Sequence, residues 1–176
     1  PDAAYSGENA IASYVVVACV MTGIVGIPLY VYAVDLAGQL AGGVFIALIG
    51  VLLVLTGVLQ IASESIGMGG RERPTFRDSL LVGALQGIAI LPGVSRSGIT
   101  TSALLVRSYD PPAAFRLSFL LSIPASLAAA ALTVVGAGGL PGIAPGAAAL
   151  ALSVSAVVGY FTIDALMRVV ERVPFW

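Results

Sequence analysis

The segment at 91–100 combines the residue types that proteins use to bind phosphate. It reads Leu-Pro-Gly-Val-Ser-Arg-Ser-Gly-Ile-Thr, with Arg96 near its centre. The planar guanidinium of arginine can donate two parallel hydrogen bonds to a phosphate or a carboxylate. The hydroxyl and glycine residues around it are Ser95, Ser97, Thr100, Gly93 and Gly98. The hydroxyls can hydrogen-bond an anion, and the glycines let a ligand approach the backbone closely.

The position of this segment favours a binding role over a purely structural one. Arg96 lies between two apolar stretches, and an arginine near the centre of a bilayer costs roughly 2.5–3.5 kcal/mol on insertion scales. A helix that starts at Ser97 would add backbone amides that favour an anion. The structural alternatives are that Arg96 snorkels or pairs with a buried glutamate, and that the serines only pack helices. Gln86, in the apolar stretch before the motif, fits an interhelical hydrogen bond as well as a substrate-binding role.

The motif interrupts a segment that is too short to cross a membrane. Pro92 and Gly93 end the apolar stretch that begins at Ser79. About 13 helical residues rise roughly 20 Å, whereas the hydrocarbon core is about 30 Å thick. The sequence therefore predicts a re-entrant helix–loop–helix over 79–107, with its polar turn in a cavity, because irregular backbone at membrane depth must be buried in protein or face water.

The distribution of arginine supports the same hairpin. Seven of the eight arginines flank apolar segments, and all seven fall on one membrane face if 79–107 turns back. They are Arg71, Arg73, Arg77, Arg107, Arg116, Arg168 and Arg172. A segment that crossed the membrane would divide them between the two faces. The returning hairpin is the arrangement that the positive-inside rule prefers, with the arginines on the cytoplasmic face.

Composition places the whole chain in the membrane. Its 176 residues are 59% hydrophobic and 10% charged, whereas soluble domains carry about 25% charged residues. We predict an all-α integral membrane protein with a single membrane domain over 1–176. The predicted spans are 10–34, 43–65, 111–135 and 146–170. A net charge of −1 without a basic run gives no indication of nucleic acid, and the absence of histidine with a single cysteine predicts no metal site in this chain.

The motif and its surroundings resemble a known family. From Leu85-Gln86-Gly87 to Thr100, the sequence is similar to the undecaprenyl-diphosphate phosphatases of the bacitracin-resistance (BacA) type, whose Pro-Gly-x-Ser-Arg-Ser-x-x-Thr motif is present in full. The similarity continues along most of the chain. Further matching pieces are Gly26-Ile27-Pro28, Ala62-Ser63-Glu64 and the segment 115–124.

The resemblance implies an enzyme of the cell membrane. Such a protein hydrolyses a polyprenyl diphosphate to the monophosphate carrier lipid and phosphate, in the recycling of the carrier for cell-wall synthesis, and is linked to bacitracin resistance. It implies an inverted-repeat fold in which two re-entrant hairpins meet at mid-membrane. Arg96 would clamp the diphosphate, and Ser95, Ser97 and Thr100 would hydrogen-bond it, one of them as a nucleophile. Apolar walls would hold the prenyl tail.

The chain also departs from the family pattern. An N-terminal hairpin with a Glu-x-x-x-Glu motif and a Ser-Ser-x-Gly-His segment is absent, and Gln86 and Ile90 occupy the pseudo-equivalent places in the hairpin that is present. The last span of the family is absent as well, so the chain resembles the C-terminal two-thirds of such a protein, truncated at both ends. The general base, and the carboxylates for a divalent cation such as Mg²⁺ or Ca²⁺, would come from a missing N-terminal half. That half or a second copy of the chain is the expected protein partner.

Two other functions fit the same residues. Inverted repeats and broken helices also build transporters, so a polyprenyl-phosphate flippase is the first alternative. A non-catalytic half-protein is the second. Catalytic residues beside the phosphate cradle would distinguish an enzyme from either.

Overall fold

The secondary structure is entirely helical within the residues that the computed structural model describes, which are 9–39, 42–66, 69–136 and 144–172. The helices are α1 (Asn9–Gln39), α2 (Gly42–Ile66), α3 (Phe76–Ile88), α4 (Arg96–Val106), α5 (Pro111–Gly136) and α6 (Pro145–Arg172). An isolated bridge between Arg71 and Tyr109 is the one β-type pairing in these ranges. The predicted all-α class is confirmed.

Four of the helices are long and apolar enough to cross a membrane. The apolar segments are Asn9–Leu36, Gly42–Ser63, Pro111–Gly136 and Gly146–Val169. They coincide closely with the four predicted spans. Many large apolar side chains on these helices are exposed, as expected of residues that face lipid. The protein is therefore an integral membrane protein with several spans, and the direction in which each span crosses stays a prediction.

The chain divides into two compact units, Pro1–Pro124 and Ala125–Trp176. The first contains α1 to α4 and the start of α5, and it holds the buried core and the polar motif. The second contains the end of α5 together with α6, whose described side chains are mostly exposed. The single membrane domain predicted over 1–176 stays a prediction.

Small residues let α1 and α3 pack at close range. Gly83 and Gly87, one turn apart on α3, face Ala18 and Gly26 on α1. A Cβ atom added to Gly83 would lie 2.8 Å from the Cα atom of Ala18, and one added to Gly87 would lie 3.0 Å from the backbone nitrogen of Gly26. Membrane helices commonly associate in this way, since apolar side chains gain little from leaving lipid.

The core of the first unit lies between α1, α3, α4 and the start of α5. Its buried residues are Tyr14, Ala18, Val82, Ala103, Leu104, Leu105, Tyr109, Ala114, Leu117 and Leu121. The residues from α4 are consecutive, so this short helix is enclosed on several sides, in contrast to the long helices. The core therefore packs the two hairpin helices against one side of α1 and the start of α5.

A buried carboxylate joins the two outer ends of the hairpin. Asp78, in the first turn of α3, is fully buried and forms a capping box with Thr75. Its Oδ2 atom accepts hydrogen bonds from Arg71 Nη2 at 3.0 Å and from the Tyr109 hydroxyl at 2.7 Å. Its Oδ1 atom accepts from Arg107 Nε at 2.7 Å. We call Asp78 and these four partners the base clasp.

Backbone contacts close the hairpin at the same place. The Arg71 N–H donates to the Ser108 carbonyl at 3.2 Å, and the Asp110 N–H donates to the Arg71 carbonyl at 3.1 Å. The segment before α3 thus lies beside the segment after α4, and the chain between them goes out and returns. This is the predicted helix–loop–helix. Its depth in a membrane stays a prediction.

The turn of the hairpin is packed against α2. Gly93 has a φ of +95°, a conformation that glycine adopts without steric cost. A Cβ atom at Gly93 would lie 2.9 Å from the Cα atom of Ile49 on α2. The backbone that Gly93 approaches is therefore that of α2, and glycine is needed there for both its conformation and its small size.

Candidate functional site

The motif places a helix N-terminus at the turn of the hairpin. α4 begins at Arg96, one residue before the predicted start, and Ser95 is its N-cap. The Ser95 Oγ atom accepts a hydrogen bond from the Gly98 N–H at 3.2 Å. A Cβ atom at Gly98 would lie 3.0 Å from that same oxygen. Gly98 therefore leaves room for the cap, and Ser95 fixes where the helix begins.

Arg96 and Ser97 occupy the first turn of α4. The first N–H groups of a helix have no partner within the helix and carry part of its positive dipole end. Arg96 adds a full positive charge at the same end, and its side chain is half-buried, whereas Ser97 is exposed. The start of α4 thus carries an arginine, two hydroxyl residues and the helical amides in consecutive positions. Such a group can neutralise and hydrogen-bond a phosphate anion.

Thr100 lies away from this first turn and is engaged in packing. It is buried, and its Oγ1 atom is 2.6 Å from the Ser118 Oγ atom on α5. Thr100 also donates to the carbonyl of Arg96 at 2.9 Å. Its hydroxyl therefore joins α4 to α5. A contact between Thr100 and a substrate, as the sequence predicts, would require this buried pair to open.

Gln86 forms the interhelical hydrogen bond that was one of its two predicted roles. Its Nε2 atom donates to the Thr22 Oγ1 atom on α1 at 3.2 Å. Thr22 in turn donates to the Gly83 carbonyl at 3.0 Å. The Gln86 Oε1 atom is buried and accepts no hydrogen bond from the described part of the chain. The substrate-binding role of Gln86 stays a prediction.

Gln60 is a polar residue that sequence reasoning missed. It lies on α2, and its Oε1 atom is 3.3 Å from the position that a Cβ atom on Gly98 would take. This places an amide beside the first turn of α4, on the helix that also contacts Gly93. An amide can both donate to and accept from a bound phosphate ester. In the sequence, Gln60 is one of a few polar residues in the second half of an apolar span, which gives no sign that it lies near the motif.

The base clasp is a second charged group that sequence reasoning did not identify. Burial alone would raise the pKa of the Asp78 carboxyl, but the hydrogen bonds from Thr75, Tyr109 and Arg107 together lower that pKa below its ordinary value. Burial and the neighbouring Asp78 raise the pKa of the Tyr109 hydroxyl. Asp78 is thus an anion held by its neighbours. The spacing Thr75-x-x-Asp78 was a visible sign of the cap, whereas the arginine partners were not.

The acidic residues of the described ranges are dispersed and do not form a cluster. Mg²⁺ and Ca²⁺ are bound mainly by carboxylate and carbonyl oxygens. Within 9–39, 42–66, 69–136 and 144–172, acidic residues, histidine and cysteine do not come together in a group of three or more. Asp78 and Asp110 are the acidic residues that border the hairpin in sequence, and both lie at its base.

The fold and the site define a class: a helical membrane protein with several spans and a broken hairpin that carries an arginine at its turn. Comparison with protein families identifies the family within that class. The model described as "Bacitracin resistance protein BacA" matches residues 3–176. The chain belongs to the BacA family, as the resemblance at the motif predicted.

Individual relatives agree with the family. A protein named undecaprenyl-diphosphatase from Haloarcula marismortui is 52% identical over 98% of this chain and 63% of its own length. Its namesakes from Methanococcoides burtonii and Pyrobaculum aerophilum are 39% and 40% identical, over 96% and 88% of this chain and 62% and 58% of their own lengths. The chain therefore spans about three-fifths of the length of these curated relatives.

Proposed function

We propose that the complete protein hydrolyses a polyprenyl diphosphate, with undecaprenyl diphosphate as the representative substrate, to the monophosphate carrier lipid and phosphate. The observation that carries the proposal is the N-terminus of α4, where Arg96 directly follows the Ser95 cap. The relatives' printed name, undecaprenyl-diphosphatase, supports the same reaction. It also favours an enzyme over the flippase and the non-catalytic half-protein.

In this reaction Arg96 and the helix amides bind the diphosphate. When an attacking oxygen forms a bond to the terminal phosphorus, the bond from phosphorus to the bridging oxygen breaks, and the lipid monophosphate leaves with an added negative charge. A fixed guanidinium and amides near that charge stabilise the transition state without reorganising. Substrate binding therefore depends on Arg96, with Ser95 acting through the position of the helix.

Among the motif hydroxyls, Ser97 is the one that we propose meets the substrate directly. It is exposed in the first turn of α4, whereas Ser95 caps the helix and Thr100 is paired with Ser118. As the nucleophile, Ser97 would take up the terminal phosphoryl group as the lipid monophosphate leaves, and a water molecule would then cleave the phosphoserine and release phosphate. A serine hydroxyl is a weak nucleophile until a base removes its proton. Asp78 is too distant to be this base, because it lies at the far end of the 13-residue helix α3, about 20 Å from the turn of the hairpin. We propose that the base comes from outside the described residues.

The remaining parts of the complete site are proposed on the same grounds. A divalent cation such as Mg²⁺ or Ca²⁺ would use carboxylates that are not among the described residues. The polar turn would hold the diphosphate, with the prenyl tail in the bilayer. The protein partner that completes the site is the portion of the family that this chain does not span, or a second copy of this chain. The site of action is the plasma membrane.

The proposal is tested by replacing Arg96 with lysine in the complete protein. Lysine keeps the positive charge but lacks the two-pronged donor geometry. Hydrogen bonds to charged groups contribute about 1.5–3 kcal/mol, so kcat/KM for phosphate release should fall on the order of a hundredfold. Arg116→Lys, at an exposed arginine on α5, is the matched control and should change kcat/KM little.

Two outcomes would contradict the proposed function. The first is near wild-type turnover by Arg96→Lys, which would exclude two-pronged binding of the phosphate. The second is movement of a polyprenyl phosphate across vesicles, with no phosphate released by the wild-type protein. That result would assign the complete protein to the transporters.

A further inference from the structure

An apolar groove runs along one side of the hairpin, apart from the polar turn. Its volume is 250 Å³, and it lies between α2, α3 and α4. The lining residues are Leu59, Leu81, Leu85, Ile99, Ser102, Ala103, Val106 and Arg107. Six of these eight side chains are hydrocarbon, so the groove suits a hydrocarbon chain.

The groove has a direction that follows from α4. Ile99 lies next to the first turn of α4, and Arg107 is the C-cap at the hairpin base. These residues are eight positions apart, or about 12 Å along a helix. One leaflet of a bilayer has about 15 Å of hydrocarbon, half of the full core. The groove therefore matches a large part of one lipid chain, from the interface inwards.

Among the described residues that line the groove, the one charged side chain lies at the base end. Arg107 donates through Nε to Asp78, and its side chain is 38% exposed. Its two terminal amino groups donate to none of the residues that the structure describes, so they are available to an anion. Asp78 is shared with Arg71, so one carboxylate faces two guanidinium groups. The base end of the groove thus carries excess positive charge.

We propose that this groove binds one chain of an anionic phospholipid, with the lipid phosphate at Arg107 and the chain pointing towards the turn. The lipid belongs to the leaflet that faces the hairpin base. Basic pockets at the ends of membrane helices bind anionic headgroups in this manner. The prenyl tail of the substrate fits less well. With its diphosphate at Arg96, the tail would run down the groove and bring hydrocarbon against Arg107.

Lipid binding can be measured without turnover, so this proposal stands apart from the proposed enzyme activity. The complete protein is purified in detergent, and its affinities for phosphatidylglycerol and phosphatidylcholine with identical chains are determined by native mass spectrometry. An arginine near the membrane surface contributes about 1 kcal/mol, so phosphatidylglycerol should bind about fivefold more tightly.

Two pairs of variants test the chain site and the headgroup site separately. Val106→Trp fills the groove and should lower the affinity for both lipids at least tenfold. Val54→Trp, at an exposed valine of α2 outside the groove lining, should leave both unchanged. Arg107→Gln should abolish the fivefold preference, while Arg116→Gln should keep it. The preference is a ratio, so a general loss of stability in Arg107→Gln does not imitate the expected result.

Equal lipid affinities in Val106→Trp and Val54→Trp would overturn the chain site. A preference that persists in Arg107→Gln would overturn the headgroup site. If Val106→Trp weakens binding of a polyprenyl monophosphate but not of either phospholipid, the groove belongs to the substrate tail and the proposal is wrong.

Discussion

Replacing Asp78 with asparagine should destabilise the protein more than any other single charge removal in the hairpin. Asp78 is fully buried and accepts from Arg71, Arg107, Tyr109 and both the backbone and the hydroxyl of Thr75. An asparagine has one acceptor oxygen, and its amino group would meet donors. Several of these hydrogen bonds would therefore be lost together.

The size of the effect follows from burial and exposure in the base clasp. Removing one partner of a buried ion pair costs about 3–5 kcal/mol. The two arginine side chains are 37% and 38% exposed, so water recovers part of that loss, and we expect about 3 kcal/mol. At about 2–4 °C per kcal/mol for a chain of this size, Tm should fall by roughly 6–12 °C.

The chain offers a matched control on α6. Asp164 forms an ion pair with Arg168 at 2.7 Å, and both side chains are largely exposed. Exposed pairs one helical turn apart contribute about 0.3–0.5 kcal/mol, so Asp164→Asn should lower Tm by at most about 2 °C. Both variants are heated in the same detergent while helicity is followed by circular dichroism. Equal shifts in the two variants would show that Asp78 does not hold the hairpin as the geometry indicates.

Three further predictions concern pH, topology and turnover. The folded state lowers the pKa of Asp78, so the ionised carboxylate stabilises the folded protein above the ordinary carboxyl pKa, and this stabilisation is lost as pH falls through the folded pKa. On acidification, Tm should therefore fall more steeply in the wild type than in Asp78→Asn. Parallel curves of Tm against pH would contradict this. Cysteines placed at the exposed positions Glu72 and Ser108 should be labelled from the same, cytoplasmic side, since a reagent that reaches them from opposite faces would exclude a re-entrant hairpin. The 176-residue chain alone should release no phosphate from a polyprenyl diphosphate, because its described residues supply no base near the motif, and adding the portion of the Haloarcula marismortui relative that it does not span should provide turnover. Release by the short chain that disappears in Arg96→Ala would show that the base is present after all.

The broken hairpin was predictable because it depends on a local break in the helix and on the number of arginines at each end of the segment. Pro92 and Gly93 interrupt a helix wherever they stand in an apolar run, and the arginines can be counted without knowing any contact. The N-cap was nearly predictable for the same reason, since Ser95 precedes a segment with helical periodicity. The start of α4 differed from the prediction by one residue.

Contacts between distant positions could not be read in the same way. The hydrogen-bond partner of Thr100, Ser118, lies eighteen positions away on another helix, and the contact of Thr100 with a substrate stays a prediction. The arginine partners of Asp78 belong to segments on both sides of the hairpin, and either could equally have faced water. Gly93 packs against Ile49 on α2, a contact that its sequence neighbours do not reveal, and its place beside a ligand stays a prediction. Each of these contacts joins positions that are far apart in the sequence, so no local pattern indicates it.

The close packing of α1 against α3 determines which glycines of this sequence can be substituted. Adding a methyl group at Gly83 or Gly87 would require the two helices to separate, so these positions should tolerate no substitution. Gly23 and Gly57 have open space where a side chain would go, and alanine there should even favour the helix by about 1 kcal/mol. Saturation mutagenesis should therefore divide the helical glycines into two sharply different groups. The glycines that tolerate no substitution would identify the positions where two helices are in contact, whereas lipid-facing positions would accept many residues.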